Sequence, residues 1–414
     1  MEELMRTIDT AIESNDYATI VSVFAVSDDM GKSWHRVGQG EKRSLAAYFI
    51  QSAVASPTFL PAAFEHTENV MLTVLGHLPA TVENAADNKL RQLLFDYKIN
   101  DDQDYIAAAR VLGGMRMEDD KASVYYVDPH KKADIYVKIA ECFLAEDEIA
   151  EADAAVNKAG AVVSQLSGAE AARRASGAPG GTSTVATLKE RKALLLRYKS
   201  TYARVLDANR KFLQAAQRYH ELSQTSEDII DSDELLHMLG RAATCAILAP
   251  SGPQRQRVLG QIYKDDRLSS LDQIPEFSTH STILKKMYYH QVLRPNELTQ
   301  FESSLAEHQK AIMGDGLTIM ERGVVEHNMI AVSNLYRSIY TKELASILGV
   351  DQYKAEKIAA AMIMDGTVHG SIDQVEGLLK FEAGENQQTS FDHAISSFCV
   401  ELNHVTNAVK AETQ

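Results

Sequence analysis

The fold of this chain is decided by residues 338–381, SIYTKELASILGVDQYKAEKIAAAMIMDGTVHGSIDQVEGLLKF. The first three residues predict a short strand, and Thr341 is the predicted N-cap of a helix that ends at Gly349, a residue type favoured just beyond a helix. Asp351 caps a second predicted helix, Asp365-Gly366 marks a turn, and two strands follow at 367–372 and 377–381. Strand, helix, turn, helix and hairpin in this order predict a winged helix over 338–382.

The second helix of this segment has an apolar face that supports the assignment. Its apolar residues recur at three- and four-residue spacing, at Ala355, Ile358, Ala359, Met362 and Ile363.

A small sheet of this kind leaves strand edges exposed, and exposed edges can pair with the sheet of another chain through main-chain hydrogen bonds. We therefore take the sheet as a candidate interaction site. The candidate residues are Ser338, Ile339, Tyr340, Leu378, Leu379 and Phe381.

The sequence upstream of the winged helix repeats. Predicted helix pairs carry small alanines in their second helices at Ala109, Ala152 and Ala215. The spacing from Ala109 to Ala152 is 43 residues, and that from Ala152 to Ala215 is about 45 once the Ser/Gly/Ala-rich residues 167–184, the centre of a predicted insert at 163–186, are left out. A period of this length is typical of an α-solenoid of TPR- or HEAT-like helix pairs. The alternative is an unrepeated helical domain. The insert has the composition of a flexible segment.

These patterns predict a mainly all-α chain with four parts. Residues 1–86 form an N-terminal helical arm, 87–265 the helical-repeat solenoid and 266–382 a domain that includes the winged helix. Residues 389–411 form one long C-terminal helix.

The C-terminal helix has a heptad seam. Its apolar residues are spaced alternately by four and three, at Phe391, Ile395, Phe398, Leu402, Val405 and Val409. Such a narrow stripe predicts packing in a bundle with helices of partner chains. The alternative is that the seam folds back onto this chain.

Composition excludes several classes of protein. Hydrophobic residues make up 45% of the 414 residues, and the net charge is −15, which repels a phosphate backbone. No apolar stretch approaches the length of a membrane span, and the N-terminal residues lack the apolar core of a secretory signal. Three widely spaced cysteines indicate reduced thiols in an intracellular compartment. We expect neither a nucleic-acid nor a membrane partner.

Catalytic and metal-binding patterns are missing from the sequence. The segment Met30-Gly-Lys-Ser33 resembles the end of a phosphate-binding loop, but Val26 stands where that loop requires glycine. The cysteines have no zinc-binding spacing, and no H-E-x-x-H or G-x-S-x-G pattern occurs. We expect no enzyme activity, no metal and no cofactor, although an active site assembled from distant residues would leave no such pattern.

The winged helix also lacks the charge of a DNA reader. Lys354 and Lys357 in its second helix are offset by Asp351 and Glu356, and residues 367–376 contain no lysine or arginine. A DNA-binding winged helix places cations on both elements, so DNA binding is a rival hypothesis that the charge pattern disfavours.

The order of solenoid and winged helix resembles the PCI-domain family of the proteasome lid, the signalosome and translation-initiation complexes. Short segments carry a resemblance to the signalosome members of that family. They include 202–207 (YARVLD), 210–212 (RKF), 215–219 (AAQRY), 308–310 (HQK), 326–328 (EHN) and 354–359 (KAEKIA).

The resemblance implies a function. The signalosome removes a ubiquitin-like modifier from cullins and so regulates cullin-RING ubiquitin ligases, and its metalloprotease centre lies in another subunit. It implies a non-catalytic scaffold and substrate-sensing subunit of the cytoplasm and nucleus, which contacts other PCI subunits and the metalloprotease-containing subunits. A scaffold subunit of the proteasome lid is the alternative within the family, and an unrecognised hydrolase is the alternative outside it.

Overall fold

The structure is a computed structural model of the 414-residue chain. It describes residues 2–24, 39–56, 59, 70–71, 85–120, 122–123, 125–175, 185–225, 230–312, 314, 316–381 and 395–399. The chain divides into two compact units, Met1–Val205 and Leu206–Gln414.

The first unit is helical throughout its described elements. They are α1 (Glu2–Glu13), α2 (Tyr17–Phe24), α3 (Gln39–Ala55), α4 (Ala85–Tyr97) with a π-helical turn at Lys98–Asp102, α5 (Tyr105–Gly113), α6 (Pro129–Ala145), α7 (Ile149–Ala175) and α8 (Val185–Ala208), whose last residues belong to the second unit.

Consecutive helices of the first unit pack against each other. Helix α4 contacts α5, α5 contacts α6, and α6 contacts α7. The aspartate side chain of Asp104 caps α5 by accepting a hydrogen bond from the Ala107 amide at 2.9 Å. The small side chains of Ala109, Ala140 and Ala152 are buried together in one core cluster, where they allow neighbouring helices to approach closely. The repeat prediction rested on two of these alanines.

The predicted flexible insert at 163–186 is wrong over its first half. Helix α7 continues to Ala175, and Val162 and Leu166 take part in a small apolar cluster with Leu194 of α8. Residues 168–175 read GAEAARRA, and their alanines and arginines are strong helix formers, which outweighs a low apolar content. Residues 176–184 lie outside the described residues.

The second unit begins with a helical part. Its elements are α9 (Phe212–Ser223), α10 (Ser232–Leu248), α11 (Pro253–Tyr263), 3₁₀ turns at Asp266–Gln273 and Pro275–Phe277, α12 (His280–Tyr288), α13 (Pro295–Ser304), a 3₁₀ turn at Glu307–Lys310 and α14 (Ile319–Leu335). Helix α10 is buried over most of its length and contacts α9, α11, α12 and α14.

The winged helix follows α14. It consists of β1 (Ser338–Tyr340), α15 (Thr341–Leu348), α16 (Gln352–Met364), β2 (Gly370–Asp373) and β3 (Leu378–Phe381). The three strands form an antiparallel sheet in the order β1-β3-β2. Ile339 pairs with Leu379, and Ile372 pairs with the same residue from the other side. The predicted fold class, a helical solenoid followed by a winged helix, is confirmed.

Local signals of the winged helix hold at three positions and fail at one. Gly349 has φ 70° at the end of α15, and Asp351 caps α16 through the Tyr353 amide. Asp365 and Gly366 form the predicted turn. Thr341 is not an N-cap: it is the first residue of α15, it is buried, and its hydroxyl accepts a hydrogen bond from Gln352 at 2.9 Å.

Candidate assembly interface

Within the described residues, the sheet of the winged helix has two edges without a neighbouring strand, and both are short. Strand β3 lies between β1 and β2, so its main chain is paired on both sides. Of the predicted interaction residues, Leu378, Leu379 and Phe381 therefore lie on the central strand and cannot pair edge to edge with another chain. The sequence cannot give strand order, because either strand of the hairpin could have paired with β1.

The side chains of the sheet point in two directions. Ile339, Leu379 and Phe381 are buried in the core of the winged helix, together with Leu344, Ala355 and other apolar residues of α15 and α16. Ser338 and Tyr340 are exposed, and the exposed fraction of Tyr340 is 56%. An edge-to-edge contact at β1 would thus combine main-chain hydrogen bonds with these two side chains.

The second edge strand, β2, lies unusually close to the central strand at Gly370, where there is no room for a side chain. A Cβ atom built on Gly370 would lie 2.5 Å from the carbonyl oxygen of Lys380. The turn between β2 and β3 is organised by Asp373, whose carboxylate accepts hydrogen bonds from the amides of Val375 and Glu376. This turn projects Val375 into solvent with 98% of its surface exposed.

The wing, residues 367–376, and α16 form a surface that carries both acidic and basic side chains. Gln374 of the wing donates a hydrogen bond to the carboxylate of Glu356 on α16 at 2.6 Å. Lys354 and Lys357 are exposed on the same helix, and the wing itself carries Asp373 and Glu376. The wing is acidic, and the α16 side chain that it contacts, Glu356, is acidic too. This surface therefore does not supply cations on both elements to neutralise the phosphates of a DNA backbone.

The predicted C-terminal seam is described at two of its six positions. Residues 395–399 are helical, and there Ile395 is 46% exposed and Phe398 is 65% exposed. Phe391, Leu402, Val405 and Val409 lie outside the described residues.

Sequence reasoning missed the polar contacts that hold the second unit together. The carboxylate of Asp207, at the end of α8, accepts hydrogen bonds from Gln309 at 3.0 and 3.2 Å and lies 3.2 Å from the His308 ring. Two of the segments that carry the resemblance, 202–207 and 308–310, therefore meet at one buried carboxylate. Burial and this neighbouring carboxylate raise the pKa of the Cys245 thiol.

A second group of contacts centres on the 326–328 segment in α14. The side chain of Asn328 pairs with both main-chain groups of Leu293: its Oδ1 accepts a hydrogen bond from the Leu293 amide at 2.8 Å, and its Nδ2 donates one to the Leu293 carbonyl oxygen at 2.9 Å. The ring of His327 contacts the carbonyl oxygen of Gln291 at 2.9 Å. Burial lowers the pKa of His327 to about 4, so the ring is neutral at pH 7.

Arg255 forms a further buried contact at the end of α10. Its guanidinium donates to the carbonyl oxygens of Ala246 and Ile247 at 3.2 and 2.8 Å, which satisfies carbonyls that the end of a helix leaves free. Burial lowers the pKa of Arg255 to about 10, and the group remains a cation at pH 7. Three of the resemblance segments, through Asp207, Gln309 and Asn328, thus contribute internal contacts of the second unit.

The described residues offer no metal site and no membrane-crossing helix. Among them, no cluster of three or more His, Cys, Asp or Glu side chains could hold a metal ion. Across that same part of the chain, no helix has both the length and the apolar composition to cross a membrane.

The second unit has helices followed by a winged helix, and the model of the PCI domain family matches its residues 278–383, so this is a PCI-domain protein. The COP9 signalosome complex subunit 4 of Arabidopsis thaliana is 36% identical over 313 residues, covering 74% of this chain and 70% of that protein. The proteins of the same name from Drosophila melanogaster and Dictyostelium discoideum are each 35% identical, over 74% and 68% of this chain and 67% and 64% of their own lengths. The chain belongs to the COP9 signalosome complex subunit 4 family. The resemblance inferred from short segments is confirmed.

Proposed function

We propose that this chain is a non-catalytic scaffold and substrate-sensing subunit of a COP9 signalosome. In that role it supports the removal of a ubiquitin-like modifier from cullins and so regulates cullin-RING ubiquitin ligases. The observation that carries the proposal is the 36% identity to a named signalosome subunit over 74% of the chain. Relatives from three further organisms carry the same name, which favours this function over that of a proteasome-lid subunit.

The non-catalytic part of the proposal is supported by the chemistry of the second unit. The buried polar side chains of Asp207, Arg255 and Asn328 are engaged in hydrogen bonds within the unit. The buried histidines His280 and His327 have pKa values lowered to about 4 by burial, far below the value that suits a general base at pH 7. The metalloprotease centre of the complex is supplied by another subunit.

We assign the assembly contacts to two surfaces. Strand edges β1 and β2 of the winged helix pair with neighbouring PCI subunits, and the heptad seam of residues 391–409 enters a bundle of C-terminal helices that includes metalloprotease-containing subunits. The exposure of Ile395 and Phe398 supports the second assignment, since apolar side chains on a helix gain free energy when a partner covers them.

The division of the chain into four parts belongs to the same proposal. Residues 266–382 act as the PCI domain, which the family match at 278–383 supports. Residues 1–86 form an arm, 87–265 the solenoid and 389–411 the bundle helix. The chain works with cullin-RING ligases in the cytoplasm and nucleus.

The proposal is tested by affinity purification of the tagged full-length chain from its own cells, followed by mass spectrometry. We expect other PCI subunits, a metalloprotease subunit and cullins to co-purify. Recovery of proteasome-lid subunits in their place would support the alternative within the family. Isolation of the chain alone would contradict both.

A double variant tests the bundle contact in the same experiment. Phe398→Asp with Leu402→Asp places two carboxylates on the seam, and desolvating them in a bundle costs several kcal/mol. The control, Ser397→Asp with Asn403→Asp, adds the same charge at positions off the seam. We expect the seam variant to lose the complex and the control to retain it. Equal recovery of the complex by both variants would refute the bundle assignment.

A further inference from the structure

A groove on the second unit lies outside the sheet edges and the seam. Helix α11 and the end of α12 form it, and its volume is about 880 Å³. Its lining includes Gln256, Arg257, Gly260, Lys264, Tyr288 and Tyr289.

Three tyrosines form a preorganised aromatic wall beside this groove. The rings of Tyr263 and Tyr288 stack with centroids 4.8 Å apart, and Tyr289 meets Tyr263 edge to face at 5.6 Å. The hydroxyls of Tyr263 and Tyr289 are 3.2 Å apart and share a hydrogen bond. Gly260 allows the Tyr288 ring to lie directly on α11, because a Cβ there would be 3.2 Å from the ring. The exposed fraction of Tyr289 is 52%.

The groove is basic although the chain is acidic. Arg257 and Lys264 are exposed, and the structure records no ion pair for either within the residues it describes. The hydrogen bond with Tyr263 raises the pKa of the Tyr289 hydroxyl, and the positive charge of Lys285 acts in the opposite direction. No aspartate or glutamate lines the groove, in a chain with a net charge of −15. The neighbouring cleft, which shares Lys264 with the groove, is lined by the acidic side chains of Glu221, Asp265 and Asp266.

We propose that this groove binds an extended acidic peptide segment of a partner protein, one that carries proline or aliphatic residues between its carboxylates. Aromatic-lined grooves bind extended, proline-containing peptides because these lose little conformational entropy on binding. The cations at the rim pair with carboxylates of the peptide. A nucleic acid fits less well, because two or three cations do not offset the repulsion between its phosphates and the acidic chain. The inference does not depend on the proposed function.

Fluorescence anisotropy with the purified full-length chain tests the proposal. The probe is a rhodamine-labelled peptide of six Glu-Pro repeats, and the comparison probes are a Lys-Pro peptide of equal length and a single-stranded DNA 12-mer. We expect the Glu-Pro peptide to bind at low ionic strength, more weakly as salt rises, and both comparison probes to bind at least about tenfold more weakly.

Two variants locate the binding, each with a matched control. Arg257→Glu with Lys264→Glu should weaken Glu-Pro binding about tenfold or more, while Lys211→Glu with Lys342→Glu, which changes the net charge equally at exposed sites elsewhere, should stay within about twofold. Tyr289→Ser should weaken binding about fivefold, and Tyr353→Ser, at a tyrosine with 73% exposure on α16, should have no such effect.

Three results would overturn the proposal. The first is equal loss of binding in groove and control variants, which would mean unspecific charge attraction. The second is absence of Glu-Pro binding at millimolar concentration. The third is tighter binding of the oligonucleotide that is lost in the groove variants, which would assign the groove to single-stranded nucleic acid.

Discussion

The pair of hydrogen bonds that Asn328 forms with the main chain of Leu293 gives a quantitative prediction for Asn328→Leu. Leucine has a similar shape but neither donates nor accepts, so the variant leaves the amide and carbonyl of Leu293 unpaired in a site where Asn328 is only 2% exposed. Each unsatisfied buried main-chain group costs about 1–3 kcal/mol, and the added apolar burial returns about 1 kcal/mol. We expect a net loss of about 3 kcal/mol in the stability of the second unit.

Hydrogen exchange followed by mass spectrometry measures this loss locally, which matters because a chain of two units need not unfold in one step. A loss of about 3 kcal/mol corresponds to exchange more than about a hundredfold faster at the Leu293 amide. The control is Asn334→Leu, the same substitution at an exposed position of the same helix, α14. If the two variants exchange at the same rate in this region, the pair of hydrogen bonds does not stabilise the unit and the reasoning is wrong.

Three further predictions follow from the described residues. Gly370→Val should lower the melting temperature of the second unit, because its side chain clashes with the facing strand at a cost of about 1–3 kcal/mol. The control variant Gly314→Val, at a position with open space around it, should leave the melting temperature unchanged. Equal melting temperatures of the two variants would contradict the close approach of the strands. His280 and His327 have pKa values lowered to about 4, below the unfolded value of about 6.5, so the stability they contribute is present above pH 6.5 and lost as pH falls towards 4. Urea titrations should show a loss of up to about 3 kcal/mol for each ring, and a His327→Gln variant whose pH dependence matched the native chain would exclude that ring. Cys399 is exposed beside the predicted seam and should react with a thiol reagent faster than the buried Cys142 and Cys245. In the assembled complex its reaction should slow down. Unchanged reactivity of Cys399 in the complex would contradict burial of this helix.

The winged helix was predictable because its signals are local. Gly349 and Asp351 act within one or two residues of their own positions, and a three- to four-residue apolar spacing identifies the face that α16 buries. The strand β2 begins three residues later than predicted, since the sequence does not mark where pairing with β3 starts.

The contacts between distant parts of the chain could not be predicted in this way. Asp207 and Gln309 are separated by 102 residues, and nothing near either residue indicates the other. Helix α7 extends to Ala175, into the segment predicted to be a flexible insert. The prediction was wrong there because the composition of the segment was read as too poor in large apolar residues for a helix, whereas alanine favours a helix even without burial. The sequence predicted that the sheet of the winged helix has exposed edges. It did not predict which strands form those edges, because strand order depends on pairing between residues far apart in the sequence.

The strand order β1-β3-β2 has a consequence during synthesis. Both outer strands leave the ribosome before the central strand, so β1 has no partner until residues 378–381 have been translated. Strands of three and four residues are too short to be stable without a sheet. The two edges assigned to subunit contacts therefore become competent together, in one late step, and a nascent chain cannot engage a neighbour through one edge before the other exists.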